Sequence, residues 1–201
     1  MNRNTLSLLQ TSSSAGGLTL FPVPWSYVEN WRCINCGKCC RAYEVVLSFS
    51  EWLKLVNVYG AGVARPSLNK FYLSKRNDGS CIFLNQVGNR YYCGLQYDKP
   101  KACKIWPFKI SSRPKYGRPR EAAYRYRDKT FYVYLVSSCS GIRWGTPSEE
   151  FVKAVIPEFI DIALGVREKQ YYSTSRLPLL IVDKKNLGES PFDVLSRRFI
   201  H

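Results

Sequence analysis

Four cysteines stand within eight residues of one another, in the run Cys33-Ile34-Asn35-Cys36-Gly37-Lys38-Cys39-Cys40. Four more follow along the chain, whereas the only histidine is His201. A ligand set made of thiolates alone is soft, and soft ligands select iron-sulfur clusters, zinc or cuprous copper over magnesium, calcium or manganese. The pattern therefore predicts a metal site, and the candidate ligands are Cys33, Cys36, Cys39, Cys40, Cys81, Cys93, Cys103 and Cys139.

Two other roles for the cysteines compete with metal binding. Free cysteine packs as a small hydrophobic residue, but burial alone gives no reason to place four of them in eight positions. A disulfide framework needs an oxidising compartment or a hyperthermophilic cytosol. The first residues lack the long apolar run of a signal peptide, and no segment is apolar for long enough to cross a membrane. The sequence thus predicts a soluble, cytoplasmic protein with reduced thiols.

The spacing of the first cysteines bears on which metal binds. Cys33, Cys36 and Cys39 repeat the two-residue gap of bacterial ferredoxins, which favours an iron-sulfur cluster. Gly37 after Cys36 resembles the knuckle of zinc ribbons, which favours a single ion. Zinc sites normally use two close pairs of cysteines, and the four later cysteines are isolated from one another. A [4Fe-4S] cluster is therefore the preferred cofactor, with zinc as the alternative.

The adjacent Cys39 and Cys40 suggest more than one site. Side chains of neighbouring residues in extended backbone point to opposite sides, so one ion would not readily take both. The eight cysteines divide evenly into two four-thiolate sites, which we treat as a hypothesis. Positive charge near a thiol favours the thiolate and so assists binding. The bases that flank the cysteines are Arg32, Lys38, Arg41, Lys99, Lys101 and Lys104.

The cysteines fall into short motifs that occur in a set order. The motifs are Cys33-x2-Cys36-Gly37-x-Cys39-Cys40, Cys81-Ile82-Phe83-Leu84, Cys93-Gly94-Leu95-Gln96-Tyr97-x2-Pro100-x2-Cys103, Trp106-Pro107-Phe108 and Cys139-x-Gly141-Ile142-x2-Gly145. Together they resemble the zinc- or iron-chelating CxxCxxCC family over roughly Trp31 to Gly145. The chain has Lys99 where the family usually has Arg, and Trp106 where it often has another aromatic residue. Neither difference removes a ligand.

The resemblance has implications for function as well as for metal. It implies a metal or iron-sulfur protein with a redox or structural role. The family includes the flagellin lysine N-methylases, so it also implies, as an alternative, a protein lysine N-methylase that uses S-adenosylmethionine. The chain contains no recognisable pocket motif for that cofactor. It also lacks a Ser-His-Asp or Cys-His set and a Walker loop, so the sequence assigns no enzymatic reaction.

The chain is strongly basic, with 30 Lys and Arg against 15 Asp and Glu and a net charge of +15. The stretch from Lys101 to Lys129 is especially rich in bases, and Trp106, Tyr116 and Tyr124 are among the aromatic residues between them. Such a stretch can bind a phosphate backbone and stack on bases, so we expect nucleic acid or an acidic protein as a partner. The alternative is a solvated surface whose aromatic residues belong to the core.

The length and pattern of the chain indicate one α+β domain at residues 25–201, preceded by a flexible N-terminal arm at residues 1–24. Ser48-x2-Glu51 is a capping box that predicts a helix ending at Gly60. A strand is expected at residues 43–47. Two hairpins are expected, at residues 81–94 around Val87-Gly88-Asn89 and at residues 122–137 around Asp128-Lys129, and the first should bring Cys81 and Cys93 together. A helix that begins at Thr146-Pro147 and contains Pro157, a strand at residues 179–182 and a final helix from Ser190 complete the predicted elements.

Overall fold

A computed structural model describes residues 21–172, in which short helices and antiparallel strands alternate along the chain. The strands are β1 (Pro22–Pro24), β2 (Val28–Trp31), β3 (Val46–Leu47), β4 (Ala64–Ser67), β5 (Lys70–Leu73), β6 (Leu84–Val87), β7 (Arg90–Cys93), β8 (Phe108–Ser111), β9 (Ala123–Tyr126), β10 (Lys129–Val136) and β11 (Ile142–Trp144). The helices are α1 (Lys38–Ala42), α2 (Phe49–Tyr59), α3 (Lys101–Lys104), α4 (Pro119–Ala122) and α5 (Ile156–Leu164). The predicted α+β class is confirmed.

The first hydrophobic core lies between a sheet and the helical segment that ends the described region. Strands β1, β10 and β8 are hydrogen-bonded in that order, and β9 also pairs with β10. Val133 and Leu135 of β10 lie opposite Ile110 and Phe108 of β8 and are fully buried. Phe159 of α5 stacks on Phe108, with 4.0 Å between ring centroids. This core, which also receives Trp31, is the better buried of the two.

The helical segment of the first core starts differently from the prediction. The expected cap was Thr146, but the hydroxyl of Ser148 accepts the hydrogen bond from the Phe151 N–H at 3.2 Å, and the helix follows it. Residues Phe151–Val155 form a π-helical turn directly before α5. Pro157 lies in the first turn of α5 and has no N–H to donate to the preceding turn. The π-helical turn therefore lies at the point where an α-helical hydrogen bond cannot form.

The second hydrophobic core is formed by α2, the sheet of β3, β5 and β4, and the hairpin of β6 and β7. The predicted capping box is confirmed: the Ser48 hydroxyl accepts from the Glu51 N–H, the Glu51 carboxylate accepts from the Ser48 N–H, and Gly60 ends the helix. Leu55 of α2 is 2 % exposed and packs among residues of the sheet. Cys81 is a buried member of this core.

Both predicted hairpins form, with small shifts. The first turns at Gly88-Asn89, since Val87 pairs with Arg90, and the second turns at Arg127-Asp128, one residue earlier than expected. The strand expected at residues 43–47 is confined to β3. The predicted arm ends at residue 24, and its last three residues form strand β1, which pairs with β10. The division into an arm and one domain stays a prediction, and the strand at 179–182 and the helix from Ser190 lie outside the described residues.

Candidate metal centre

The cysteine run enters a short helix. Gly37 has a φ of +68° and precedes α1, which carries Cys39 and Cys40. A Cβ at Gly37 would lie 2.8 Å from the Tyr91 ring, so glycine is needed both for the backbone conformation and for the contact with β7. The interpretation of Cys39 and Cys40 as extended neighbours with opposed side chains is wrong, because the helical backbone brings their sulfur atoms together.

The Sγ atoms of Cys39 and Cys40 are 3.8 Å apart. A tetrahedral zinc site with Zn–S bonds of about 2.3 Å has sulfur atoms separated by about 3.8 Å along each edge. The two thiols are therefore spaced like two ligands of one ion. The separation is too long for a disulfide, whose sulfur atoms are about 2.0 Å apart.

Three further cysteines line the same cavity, which has a volume of about 140 Å³. The Cys81 N–H donates to the Cys40 carbonyl at 2.8 Å, which ties the loop before β6 to α1. Cys93 ends β7, opposite Leu84, so the hairpin brings it to the same place. Short helix α3 supplies Cys103. The five cysteines of this cavity, called here the five-cysteine cavity, are Cys39, Cys40, Cys81, Cys93 and Cys103.

Cys33 and Cys139 do not line the five-cysteine cavity and instead pack against the first core. The Arg32 N–H donates to the Gly141 carbonyl at 3.0 Å, and a Cβ at Gly141 would lie 2.1 Å from the Arg32 carbonyl oxygen. This close approach joins the two cysteine loops. The indole N–H of Trp31 donates to the Cys139 sulfur at 3.3 Å, and the Cys33 thiol donates to the Asn35 side-chain oxygen at 3.4 Å.

Burial and hydrogen bonding act in opposite directions on these thiols. Burial raises the pKa of Cys81 to about 11, and it also raises the pKa of Cys93, Cys103 and Cys139. The hydrogen bond with Cys40 lowers the pKa of Cys39 to about 7 and raises that of Cys40. Because a thiolate costs more free energy to bury than a thiol, the metal-free cavity keeps most of its thiols protonated at neutral pH.

Backbone amides are nevertheless aimed at the sulfur atoms. The N–H of Phe83 hydrogen-bonds to Cys81, that of Leu95 to Cys93 and that of Gly141 to Cys139, each two residues beyond the cysteine. Each of these bonds lowers the pKa of the thiol that accepts it. Donors that favour the thiolate are what a buried metal ligand requires, so the donor set fits zinc or iron.

Lys99 is the one predicted flanking base that is buried. It is 4 % exposed and lines the five-cysteine cavity, whereas Arg32, Lys38, Arg41 and Lys101 are exposed and Lys104 is half-buried. Its charge lowers the pKa of Cys93 after burial has raised it, and burial in turn lowers the pKa of Lys99. Sequence position alone gave all six bases the same weight. Only the fold selects the cation that faces the sulfur atoms.

The arrangement is not a finished ion cage. In residues 21–172, no three Cys, His, Asp or Glu side chains are already placed to hold a metal ion. All eight cysteines fall in this range, and none is joined to another by a disulfide. Five cysteines line one cavity, and Cys33 and Cys139 lie against the first core. Cys36 is half-buried and belongs to neither set. Side chains would have to move to close a shell around an ion. His201 lies outside the described residues.

The family follows from comparison with known proteins. Residues 32–140, which contain all eight cysteines, match the CxxCxxCC family, described as a putative zinc- or iron-chelating domain. The chain belongs to the CxxCxxCC family. Comparison with curated proteins and with solved structures gives no significant match. The resemblance recognised from the motifs is confirmed, and the family description favours zinc or iron as the metal.

The aromatic residues of the basic stretch from Lys101 to Lys129 contact other parts of the fold. Tyr124 is buried, Tyr116 packs edge-on against Tyr134 at 5.1 Å, and Trp106 contacts Tyr43 with 4.0 Å between centroids. These aromatic side chains have structural contacts, as the alternative interpretation of the basic stretch expected.

None of the helices in residues 21–172 has the length and hydropathy needed to traverse a bilayer.

Proposed function

We propose that this member of the CxxCxxCC family holds one zinc or iron ion in the five-cysteine cavity through a tetrahedral shell of thiolates. The observation that carries the proposal is the 3.8 Å separation of the Cys39 and Cys40 sulfur atoms inside a cavity that three other cysteines share. Four of the five thiols are enough for one ion. Lys99 would offset part of the negative charge of such a shell.

The same separation favours a single ion over the [4Fe-4S] cluster that the spacing suggests. Four cysteines hold four irons in such a cluster, so each iron carries one protein thiolate. Two cysteines on one metal atom occur instead in a mononuclear site or in a [2Fe-2S] cluster, in which four cysteines hold two irons. A sulfur pair spaced like one tetrahedral edge fits a metal atom that carries two protein thiolates. The sulfide assay below distinguishes the mononuclear site from the [2Fe-2S] cluster.

Metal and sulfide analysis of the full-length protein, purified without oxygen, tests the proposal. We expect stoichiometric zinc or iron and no acid-labile sulfide. Elemental analysis distinguishes zinc from iron, and after oxidation an iron site would show a visible thiolate-to-iron absorption band that a zinc site lacks. Acid-labile sulfide in amounts equal to the iron would overturn the single-ion site in favour of a cluster. Two ions per chain would support a second centre that uses Cys33 and Cys139.

Variants then locate the ion within the molecule. Cys39→Ser combined with Cys40→Ser should abolish retention of the metal, because it removes both sulfur atoms of the closely spaced pair and leaves only three thiols in the cavity. Arg118→Ala is the matched control, because Arg118 donates to the Tyr27 hydroxyl and stacks on its ring outside the cavity. Equal metal content in the two variants would contradict the assignment of the five-cysteine cavity.

A basic surface for a polyanion is a second proposed function. Of the bases from Lys101 to Lys129, Arg127 pairs with Asp161, and the others form no ion pair with any residue in the described part of the chain. With aromatic side chains engaged in packing, phosphate contact rather than base stacking would supply the affinity. Retention on heparin should fall steeply with salt, and lack of retention at low salt would remove this proposal.

A further inference from the structure

A second, larger cavity lies beside Cys33. It is an open cleft of about 990 Å³ between the loop that carries Cys33 and the segment at Tyr171 and Tyr172. Sites for small molecules typically occupy about 300 to 1,000 Å³ and lie where structural units meet. Here the units are the two cores, because Arg90 comes from the hairpin of the second core and Trp31 belongs to the first.

Some of the charged side chains that line the cleft have partners within the described residues, and others have no oppositely charged partner there. Arg143 pairs with Glu29, and Glu150 accepts hydrogen bonds from the side-chain amide of Asn30 at 2.9 Å and from the Tyr172 hydroxyl at 3.1 Å. Arg32 and Arg90 are exposed, and neither pairs with a carboxylate of residues 21–172. Two guanidinium groups on the lining of one cleft therefore remain available to an anion.

The backbone that presents these two arginines is anchored. Arg32 is fixed by its N–H bond to Gly141 and by the close approach of that glycine. Arg90 precedes Tyr91, whose N–H donates to the Asn35 carbonyl at 2.9 Å on the other side of the same loop. Anchoring at both places lowers the conformational entropy that the site would lose when a ligand binds.

A buried carboxylate holds the Tyr171–Tyr172 part of the cleft lining in place. Glu158 is 3 % exposed and accepts hydrogen bonds from the N–H groups of Tyr171 and Tyr172 at 2.8 and 2.9 Å. Glu158 therefore holds Tyr171 and Tyr172 in place, and both tyrosines line the same cleft as the guanidinium groups of Arg32 and Arg90. The cleft thus offers aromatic surface to the organic part of a ligand as well as positive charge to its anionic part.

We propose that this cleft binds a small organic anion that carries a phosphate or carboxylate group, with Arg32 and Arg90 as the anion-binding residues. The guanidinium fork matches both groups, because it can donate two parallel hydrogen bonds to their oxygen atoms. This site goes beyond the proposed function and does not require it, since neither arginine is a metal ligand. Its position beside Cys33 places the ligand next to the cysteine loops.

Calorimetric titration of the full-length protein, with its metal as purified, tests the proposal. The probes are phenyl phosphate and benzoate, which chelate metal weakly, with benzyl alcohol as the neutral control. At least one anion should bind at 150 mM salt, a concentration at which the Debye length is about 8 Å and the general field of the protein is screened. The tighter probe identifies the phosphate or the carboxylate class. Binding of neither anion, or equal binding of benzyl alcohol, would overturn the site.

Two double variants with the same net charge separate the cleft from the overall charge of the protein. Arg32→Ala with Arg90→Ala should weaken binding about tenfold or more, because charged hydrogen bonds are lost. Arg120→Ala with Arg125→Ala removes two exposed bases elsewhere and should leave affinity within about twofold. Equal weakening in both would overturn the proposal. Metal content is measured in each variant, and Arg90→Ala alone serves if the Arg32 change alters it.

Discussion

The two hydrophobic cores differ in what completes them. In the first core, Val133, Phe151, Phe159 and other side chains are 0 % exposed, and the cysteines pack only at its edge. In the second core the best-buried hydrophobic side chain, Leu55, is 2 % exposed, and Cys81 is itself a core residue. A core that contains the proposed ligands should depend on the metal for its stability, whereas the first core should not.

Removal of the metal should have the largest effect, and it should fall on the second core. We expect a loss of several kcal/mol there, because binding free energy is folding free energy for a site closed by an ion. Hydrogen exchange with and without chelator measures it: amides of α2 and β5 should lose protection while those of β10 keep it. Uniform loss across both cores would mean that they unfold as one unit.

Metal affinity should rise with pH. The metal-free thiols of Cys81, Cys93 and Cys103 have raised pKa values, so each is protonated at neutral pH and must release its proton to bind. Affinity should change about tenfold per pH unit for each proton released. Competition with a chromophoric chelator between pH 6 and 8 measures the slope. A flat profile would contradict buried, protonated thiols.

The pKa of Cys81 also predicts how the metal-free protein responds to alkali. Its folded value of about 11 exceeds the ordinary value of 9.0, so the folded state holds the proton more tightly. Stability from this group is complete below about pH 9 and is lost as pH rises toward 11. Denaturant unfolding of the metal-free protein at pH 7 and pH 10 tests the sign.

Phe159→Ala should destabilise the first core whether or not metal is bound. Phe159 is 0 % exposed and stacks on Phe108, so its loss should cost about 3–5 kcal/mol. The matched control is Phe21→Ala, at a side chain that is 68 % exposed, with an expected change within about 0.5 kcal/mol. Denaturant unfolding measures both. A cost for Phe159→Ala that vanishes without metal would contradict the independence of this core.

Gly141→Ala should act where the loops of Cys33 and Cys139 meet. Its Cβ would lie 2.1 Å from the Arg32 carbonyl oxygen, so the loops of Cys33 and Cys139 must separate, at a cost of about 1–3 kcal/mol. Gly62→Ala is the control, because a Cβ there meets nothing within 4 Å. Thermal unfolding and metal content of both variants decide whether the contact matters.

The smallest expected effects come from the two helix caps, one in each core. Ser48→Ala removes the cap of α2 and Ser148→Ala removes the hydroxyl that accepts from Phe151, each at about 1 kcal/mol. Hydrogen exchange should show the first change in the second core only and the second change in the first core only. Shared changes would indicate that the cores are coupled.

Local sequence signals predicted much of the fold. The capping box of Ser48 and Glu51, the turn at Gly88 and the paired strands of both hairpins were recovered because each depends on residues close together in the chain. The helix cap at Ser148 was missed in favour of Thr146, since both are capping residues and Pro147 marked the wrong one. Spacing alone also failed at Cys39 and Cys40, where a positive φ at Gly37 starts a helix.

Residue types and intervals therefore predicted the zinc- or iron-chelating family and the class of fold, because soft ligands and periodic apolar residues carry that information locally. Which thiols share a cavity, which lysine is buried against them and which arginines face an open cleft were decided by contacts such as Cys81 with Cys40 and Tyr91 with Asn35. These contacts join residues separated by 41 and 56 positions along the chain. Pairing over such distances depends on how whole elements pack, and no short window of sequence contains it.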